Sequence, residues 1–158
     1  MPSSSFYDLI KPGMVLELGS HQFNAEEITR FASKFDPQPF HLSEEKAQKA
    51  LFGRLCASGW HTGSVFMRKN VENRLSEFLR VTGHDRDKPV FGPSPGLRNL
   101  GWHRPVYVGD TVTYTTTILG KRLSKNRDGW GMVMELSQGH NQDGKLVISM
   151  DGAVTLKL

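Results

Sequence analysis

Apolar positions recur every three or four residues through the first half of the chain and every two through the last third. That switch predicts helices followed by antiparallel strands. Asn24 followed by Glu27 has the pattern of a helix cap with a reciprocal acidic partner, and Ala25, Ile28, Phe31, Ala32 and Phe35 then share one helical face. Pro37 disfavours helical geometry at Asp36, so this helix should end near Phe35. Ser43 opens a second, short helix with Glu44 and Glu45 in the turn where the helix dipole favours acids; Ala47, Ala50 and Leu51 would be its buried face, and it stops before Gly53. The longest helix is expected from about Ser58 to about Arg80, with Trp60, Ser64, Met67, Val71, Leu75, Phe78 and Leu79 in one stripe. Ala57, Ser58, Gly59 and Gly63 crowd its start and would let another backbone or a ligand approach closely.

The stretch from Gly83 to Gly96 holds three prolines and reads as a long surface loop. Beyond it, Thr111 to Ile118 is β-branched and aromatic, as strands are. Trp130, Met132, Met134 and Leu136 alternate with Gly131, Val133, Glu135 and Ser137, and Leu146, Ile148, Met150, Val154, Leu156 and Leu158 take even positions. Asp128-Gly129 and Asp143-Gly144 supply the turns that join such strands into hairpins. Helices first and strands later imply an α+β chain, a long apolar helix covered by a curved antiparallel sheet, with residues 1–158 as a single domain.

Composition removes several classes. With 37% hydrophobic and 23% charged residues the chain is an ordinary globular sequence, not a disordered one. Cys56 is the single cysteine, which excludes an intramolecular disulfide and a cysteine-based zinc cluster. No apolar run approaches the ~20 residues of a transmembrane helix. The first eight residues lack the basic start and apolar core of a signal peptide, so a cytoplasmic location is expected. A net charge of +4 favours anionic partners in general without choosing among them.

Three segments can carry chemistry. In Asp36-Pro37-Gln38-Pro39-Phe40-His41, two prolines hold a carboxylate and an imidazole on one stiff turn among apolar neighbours. Burial would raise the pKa of an isolated Asp36 toward working pH and give an acid/base pair; the same residues also fit a turn-capping Asp and a packed His. In Phe52-Gly53-Arg54-Leu55-Cys56-Ala57-Ser58-Gly59-Trp60, a Ser58 cap would leave the N–H groups of Gly59 and Trp60 facing out of a positively polarised helix end, suited to a developing oxyanion or simply to close packing. Arg104-Pro105-Val106-Tyr107-Val108-Gly109-Asp110-Thr111 reads as a strand ending in a turn.

Taken together and in this order, the three segments resemble the MaoC-like dehydratases, the hotdog-fold family that includes (R)-specific enoyl-CoA hydratases. Asp36, Pro39 and His41 match the family's Asp-x-Asn-Pro-x-His; Phe52, Gly53, Ala57 and Gly59 match Phe-Gly-x-x-x-Ala-His-Gly; Arg104 to Val106 with Gly109 and Asp110 match Arg-Pro-Val-x-x-Gly-Asp. The resemblance runs from about Tyr7 to about Leu156. Gln38 stands where the family has Asn, and Ser58 where it has His, a change that alters the wall of the site.

The resemblance implies hydration of a 2-enoyl thioester, or its reverse, on a water held between Asp36 and His41, with the thioester oxygen on the Gly59 N–H. Ser58, Trp60, Phe40 and Arg104 would contact the substrate, an acyl-CoA, with no metal and no cofactor. It also implies a homodimer or higher homo-oligomer, since a five-stranded sheet otherwise leaves its edges open. A hotdog thioesterase and a non-catalytic acyl-thioester binding domain are the rival readings; the Asp36 and His41 pair favours hydration. Lys121, Arg122, Lys125 and Arg127 could meet CoA phosphates, but a solvated charged turn is the better reading of them, and without interleaved aromatics they are a weak argument for nucleic acid. His84, Asp85 and Asp87 have no second ligand group at metal-site spacing, and nothing near Cys56 would activate it as a nucleophile.

Overall fold

The computed structural model describes residues 5–84 and 89–158. Along the chain run α1 (Phe6–Leu9), β1 (Val15–Gln22), α2 (Ala25–Phe35), α3 (Pro39–Leu42), α4 (Glu44–Gln48), α5 (Gly59–Thr82), β2 (Leu97–Trp102), β3 (Thr111–Leu123), β4 (Trp130–His140) and β5 (Leu146–Lys157). The strands form one antiparallel sheet in the order β1-β3-β4-β5-β2, and α5 packs on its inner face. This is the α+β arrangement of a long helix and a five-stranded sheet that the sequence implies. Gly129 and Gly144 take positive φ (74° and 71°) in the turns joining β3 to β4 and β4 to β5, as the Asp-Gly pairs require.

Two strands escaped the periodicity. β1 sits in the half of the chain that reads as helical; Leu16 and Leu18 point inward and are fully buried while Val15 and Glu17 face out, too short an alternation to stand out beside the helical signals. β2 follows the proline-rich loop and is irregular, its register on β5 shifting between Arg98 and Gly101. Conversely, Arg104 to Asp110 is not a strand: it makes one isolated bridge, Tyr107 to Cys56, and turns at Gly109. The second helix is also shorter than expected, and Leu51, assigned to its buried face, is 91% exposed.

Both helix and sheet bury a different face from the one their largest apolar residues suggest. In α5 the buried side chains are His61, Thr62, Val65, Phe66, Asn70 and Phe78, while Trp60, Met67 and Val71 are exposed. In β4 the buried set is Gly131, Val133, Glu135, Ser137 and Gly139. The small residues explain it. A Cβ at Gly139 would press on Ile148, Val112 and Tyr114, and one at Gly131 would overlap Tyr7, so the inner face of β4 makes room for large side chains from its neighbours.

The two sheet edges differ. On β1 the outward backbone groups are taken by α5: the Glu17 N–H donates to Glu77 (2.7 Å), and Asn73 and Arg80 donate to the carbonyls of Leu18 (2.9 Å) and Val15 (3.2 Å). Helix side chains thus satisfy an edge that would otherwise invite pairing. β2, with Leu97 and Trp102 about half exposed, lies beside the uncovered Trp60, Met67 and Val71 of α5.

Candidate active site

Asp36 is the residue after α2, where its N–H still bonds the Ala32 carbonyl (2.9 Å) and Pro37 stops the helix. Pro39 then occupies the first turn of α3, a position where its missing N–H costs nothing, and this single turn swings His41 back toward Asp36. The His41 Nδ1 lies 2.6 Å from the Cys56 carbonyl. A carbonyl only accepts, so Nδ1 carries a proton and Nε2 is the atom presented to Asp36 Oδ2, 3.4 Å away. His41 is buried and Asp36 largely so.

Asp36 is further held by Gln38, which donates its amide to Oδ1 (2.7 Å), and by Ser58, which donates its hydroxyl to Oδ2 (2.7 Å). Burial pushes the Asp36 carboxyl up, yet the hydrogen bonds from Ser58 and Gln38 and the nearby His41 outweigh it and leave the group below its ordinary value. Burial acts in the expected direction, but Asp36 is not isolated, so its carboxyl does not move toward working pH. Ser58 was expected to line the substrate wall; it is fully buried and its hydroxyl is committed to Asp36. The same oxygen accepts the Trp60 N–H (3.2 Å), so of the two donors expected at the helix start, Trp60 is already used. Among the described residues the Gly59 N–H has no acceptor, as the first turn of a helix leaves it.

A cavity of about 310 Å³ brings together Asp36, His41, Gly59, Trp60, Phe40 and Arg104. Phe40 meets His41 edge to face (4.5 Å) and Phe52 likewise (6.3 Å), forming an apolar side. Arg104 is exposed at the rim and donates to the Leu146 carbonyl (3.0 Å). Trp102 and His103 also line the cavity. Sequence reasoning missed them, since β2 carried no periodic signal. The Trp102 indole lies so close to Gly59 that any Cβ there would overlap it.

Other candidates fall away from this cavity. His61, one turn beyond Ser58, stacks on Phe31 (4.8 Å, 9°) on another side of α5, where burial holds its pKa below the ordinary value. Cys56 is buried and its thiol is pushed up to about 11, which keeps it protonated at neutral pH. Lys121 donates to the Tyr7 carbonyl (2.6 Å), Arg122 donates to the Met132 sulfur (3.4 Å) and Arg127 lies over the Trp130 ring (4.0 Å), so three of the four hairpin cations are engaged within the chain. Asp85 and Asp87 lie outside the described residues; among the described residues no group of three His, Cys, Asp or Glu could hold a metal. No helix there is long and apolar enough to cross a membrane.

Comparison with known proteins agrees with this architecture. The MaoC-like domain family model matches residues 10–134. A crystal structure of the MaoC-like dehydratase from Rhodospirillum rubrum superposes with a TM-score of 0.81 at 33% identity, covering 98% of this chain and 97% of that one. The (R)-hydratase of A. caviae superposes at 0.65 with 23% identity over 94% of this chain and 97% of its own, which speaks for the fold. Among curated proteins, the uncharacterized protein YdeM of Bacillus subtilis (strain 168) is 28% identical over 145 residues, 92% of this chain and 94% of its own. With a family match over most of its length and a hotdog sheet wrapped on its long helix, the chain belongs to the MaoC-like dehydratase family.

Proposed function

We propose that this protein adds water to the double bond of 2-enoyl thioesters, or removes it from 3-hydroxyacyl thioesters, with CoA as the expected carrier. The observation that carries this is the convergence, in one cavity, of Asp36 Oδ2, the free face of His41 and an uncommitted helix-start N–H at Gly59. A water between Asp36 and His41 can donate to both, which aims its oxygen lone pair at the β-carbon. Asp36 accepts a proton as the C–O bond forms and electron density moves to the thioester oxygen. The Gly59 N–H, at the positively polarised end of α5, stabilises that oxygen. The proton then passes from the Asp36 and His41 pair to the α-carbon, which restores both groups. Ser58 and Gln38 are positioning residues that keep Asp36 ionised and aimed. Phe40 and Trp60 contact the acyl portion, and Arg104 at the rim suits an anionic carrier.

The active assembly is a homodimer built from this single domain. The α5 side chains occupy the β1 edge, whereas the β2 edge and the adjoining Trp60, Met67 and Val71 are left uncovered, a combination suited to a second copy. Light scattering at micromolar concentration should return about twice 17.7 kDa, or a multiple of it. The activity is tested by offering trans-2-enoyl-CoA thioesters and following loss of the conjugated absorbance alongside release of free thiol. Absorbance loss without thiol is the expected result; thiol release would make the protein a thioesterase, and neither signal would make it a binding domain.

A further inference from the structure

We infer that Trp60 and Trp102 form a partition that limits acyl length, so that the enzyme as built takes short-chain enoyl thioesters. The inference rests on the hydratase reading and extends it to the substrate. Beyond the catalytic cavity lies a second space of about 160 Å³ between α5 and the sheet, and the residues bordering both are Gly59, Trp60 and Trp102. The two indoles meet edge to face, 5.0 Å between centroids at 77°, one from the first turn of α5 and the other from the end of β2. Each supports the other, and Trp102 also lies directly on Gly59.

What lies behind the partition accepts hydrocarbon and nothing polar. Its far side is made of Gly63, Phe66, Met67, Leu100 and Met150, and the hydroxyl of Ser64 is already donated to the Trp60 carbonyl (2.7 Å). A pantetheine amide or a phosphate would find no partner there, so burying one would cost more than it returned. An acyl chain loses nothing by entering. A thioester whose oxygen sits on the Gly59 N–H has its acyl group beside the indoles, and with the wall closed that group must share the catalytic cavity with the attacking water.

Within one chain both tryptophans lie outside the buried core, 58% exposed for Trp60 and 46% for Trp102, but on the face assigned above to the second copy, so light scattering first verifies that each variant keeps the wild-type oligomeric state. The experiment measures kcat/KM for but-2-enoyl-, oct-2-enoyl- and dodec-2-enoyl-CoA with the wild type, Trp102→Ala and Trp60→Ala. Wild-type values should fall steeply with chain length. Each methylene admitted to the slot should return about fourfold, so the octenoyl to butenoyl ratio should rise at least about tenfold in Trp102→Ala, and in the same direction in Trp60→Ala. Using the ratio within one variant cancels any general damage at Gly59. A ratio unchanged in both variants, or a wild type equally active on all three thioesters, would overturn the partition while leaving the hydratase reading standing. Absence of hydration for every thioester in the wild type would instead defeat the hydratase reading.

Discussion

Two acidic side chains, Asp36 after α2 and against the Ser58 cap of α5, and Glu135 under the middle of α5, are both shielded from solvent, and they shift in opposite directions. Asp36 receives hydrogen bonds from Ser58 and Gln38 and faces His41, and it lies below its ordinary value. Glu135 is more deeply buried, bonds Arg74 through one oxygen (2.8 Å), and leaves the other without a hydrogen-bond partner among the described residues; burial raises it and the Arg74 guanidinium only partly opposes that. Burial alone therefore does not determine the state of a carboxylate in this protein. The number of donors aimed at it does, because each donor stabilises the charged form that desolvation penalises. Asp36 is kept ionised beside a cavity, as the proposed base must be, whereas Glu135 is a structural acid whose counter-ion lies on the neighbouring helix.

The sharpest way to break this contrast is to remove the charge at each site in turn. Asp36→Asn should lower kcat by about 10² to 10⁴ while the far-UV circular dichroism stays unchanged. His41→Ala should act similarly, and the double variant should lose less than the product because both groups serve one water. Near-normal turnover by folded Asp36→Asn would sink the mechanism. At the other site, Arg74→Ala should cost about 3 to 5 kcal/mol in urea unfolding, since it strands a buried acid, with the turnover of the folded enzyme nearly unchanged. Replacing the whole pair, Arg74→Met with Glu135→Leu, should recover most of that loss.

Gly59 gives the next effect in size. Gly59→Pro removes the proposed oxyanion donor and should cost about 10² to 10³ in kcat. Gly59→Ala keeps the N–H but collides with Trp102, so it should also be impaired; adding Trp102→Ala should restore butenoyl-CoA turnover to the alanine variant and not to the proline one. Rescue of both would show that the position matters for packing alone.

The smallest expected effect is the most diagnostic of how Asp36 is tuned. In the folded chain its carboxyl is depressed, so it favours folding above the ordinary Asp value, and that contribution is lost as the pH falls through its lower folded value. The rate should follow the same group and fail only in strong acid. Ser58→Ala removes one donor, which should raise the acid limb of kcat/KM against pH, and the lost helix cap should cost about 0.5 to 2 kcal/mol. Ser58→Thr, which keeps the hydroxyl, should return the limb to its wild-type position. An acid limb that does not move in Ser58→Ala would assign the serine to helix capping only.

Much of the site was legible in the chain because its parts are local. Asp36, the two prolines and His41 lie within six residues, and the turn they make depends on proline stereochemistry more than on distant packing. The Ser58 cap and the Gly59 donor follow from how any helix begins. Less legible was what crosses between segments. The Cys56 carbonyl that sets the His41 tautomer, the Ser58 hydroxyl that holds Asp36, and Trp102 against Gly59 each join residues well separated in sequence, and no spacing rule announces them.

Sequence by itself determined the positions of α2 and α5, the two Asp-Gly hairpins, the α+β class and the turn that brings Asp36 and His41 together, since periodicity, caps and turns are properties of neighbouring residues. Only the tertiary structure decided which faces are inside. α5 turned Thr62, Val65 and Phe66 to the sheet and left Trp60, Met67 and Val71 out, and β4 buried Val133, Glu135 and two glycines while Trp130, Met132, Met134 and Leu136 stayed half-exposed. The physical reason is volume. A close-packed interior selects the face whose small residues admit the large side chains of its neighbours, and that fit depends on partners far away in the sequence.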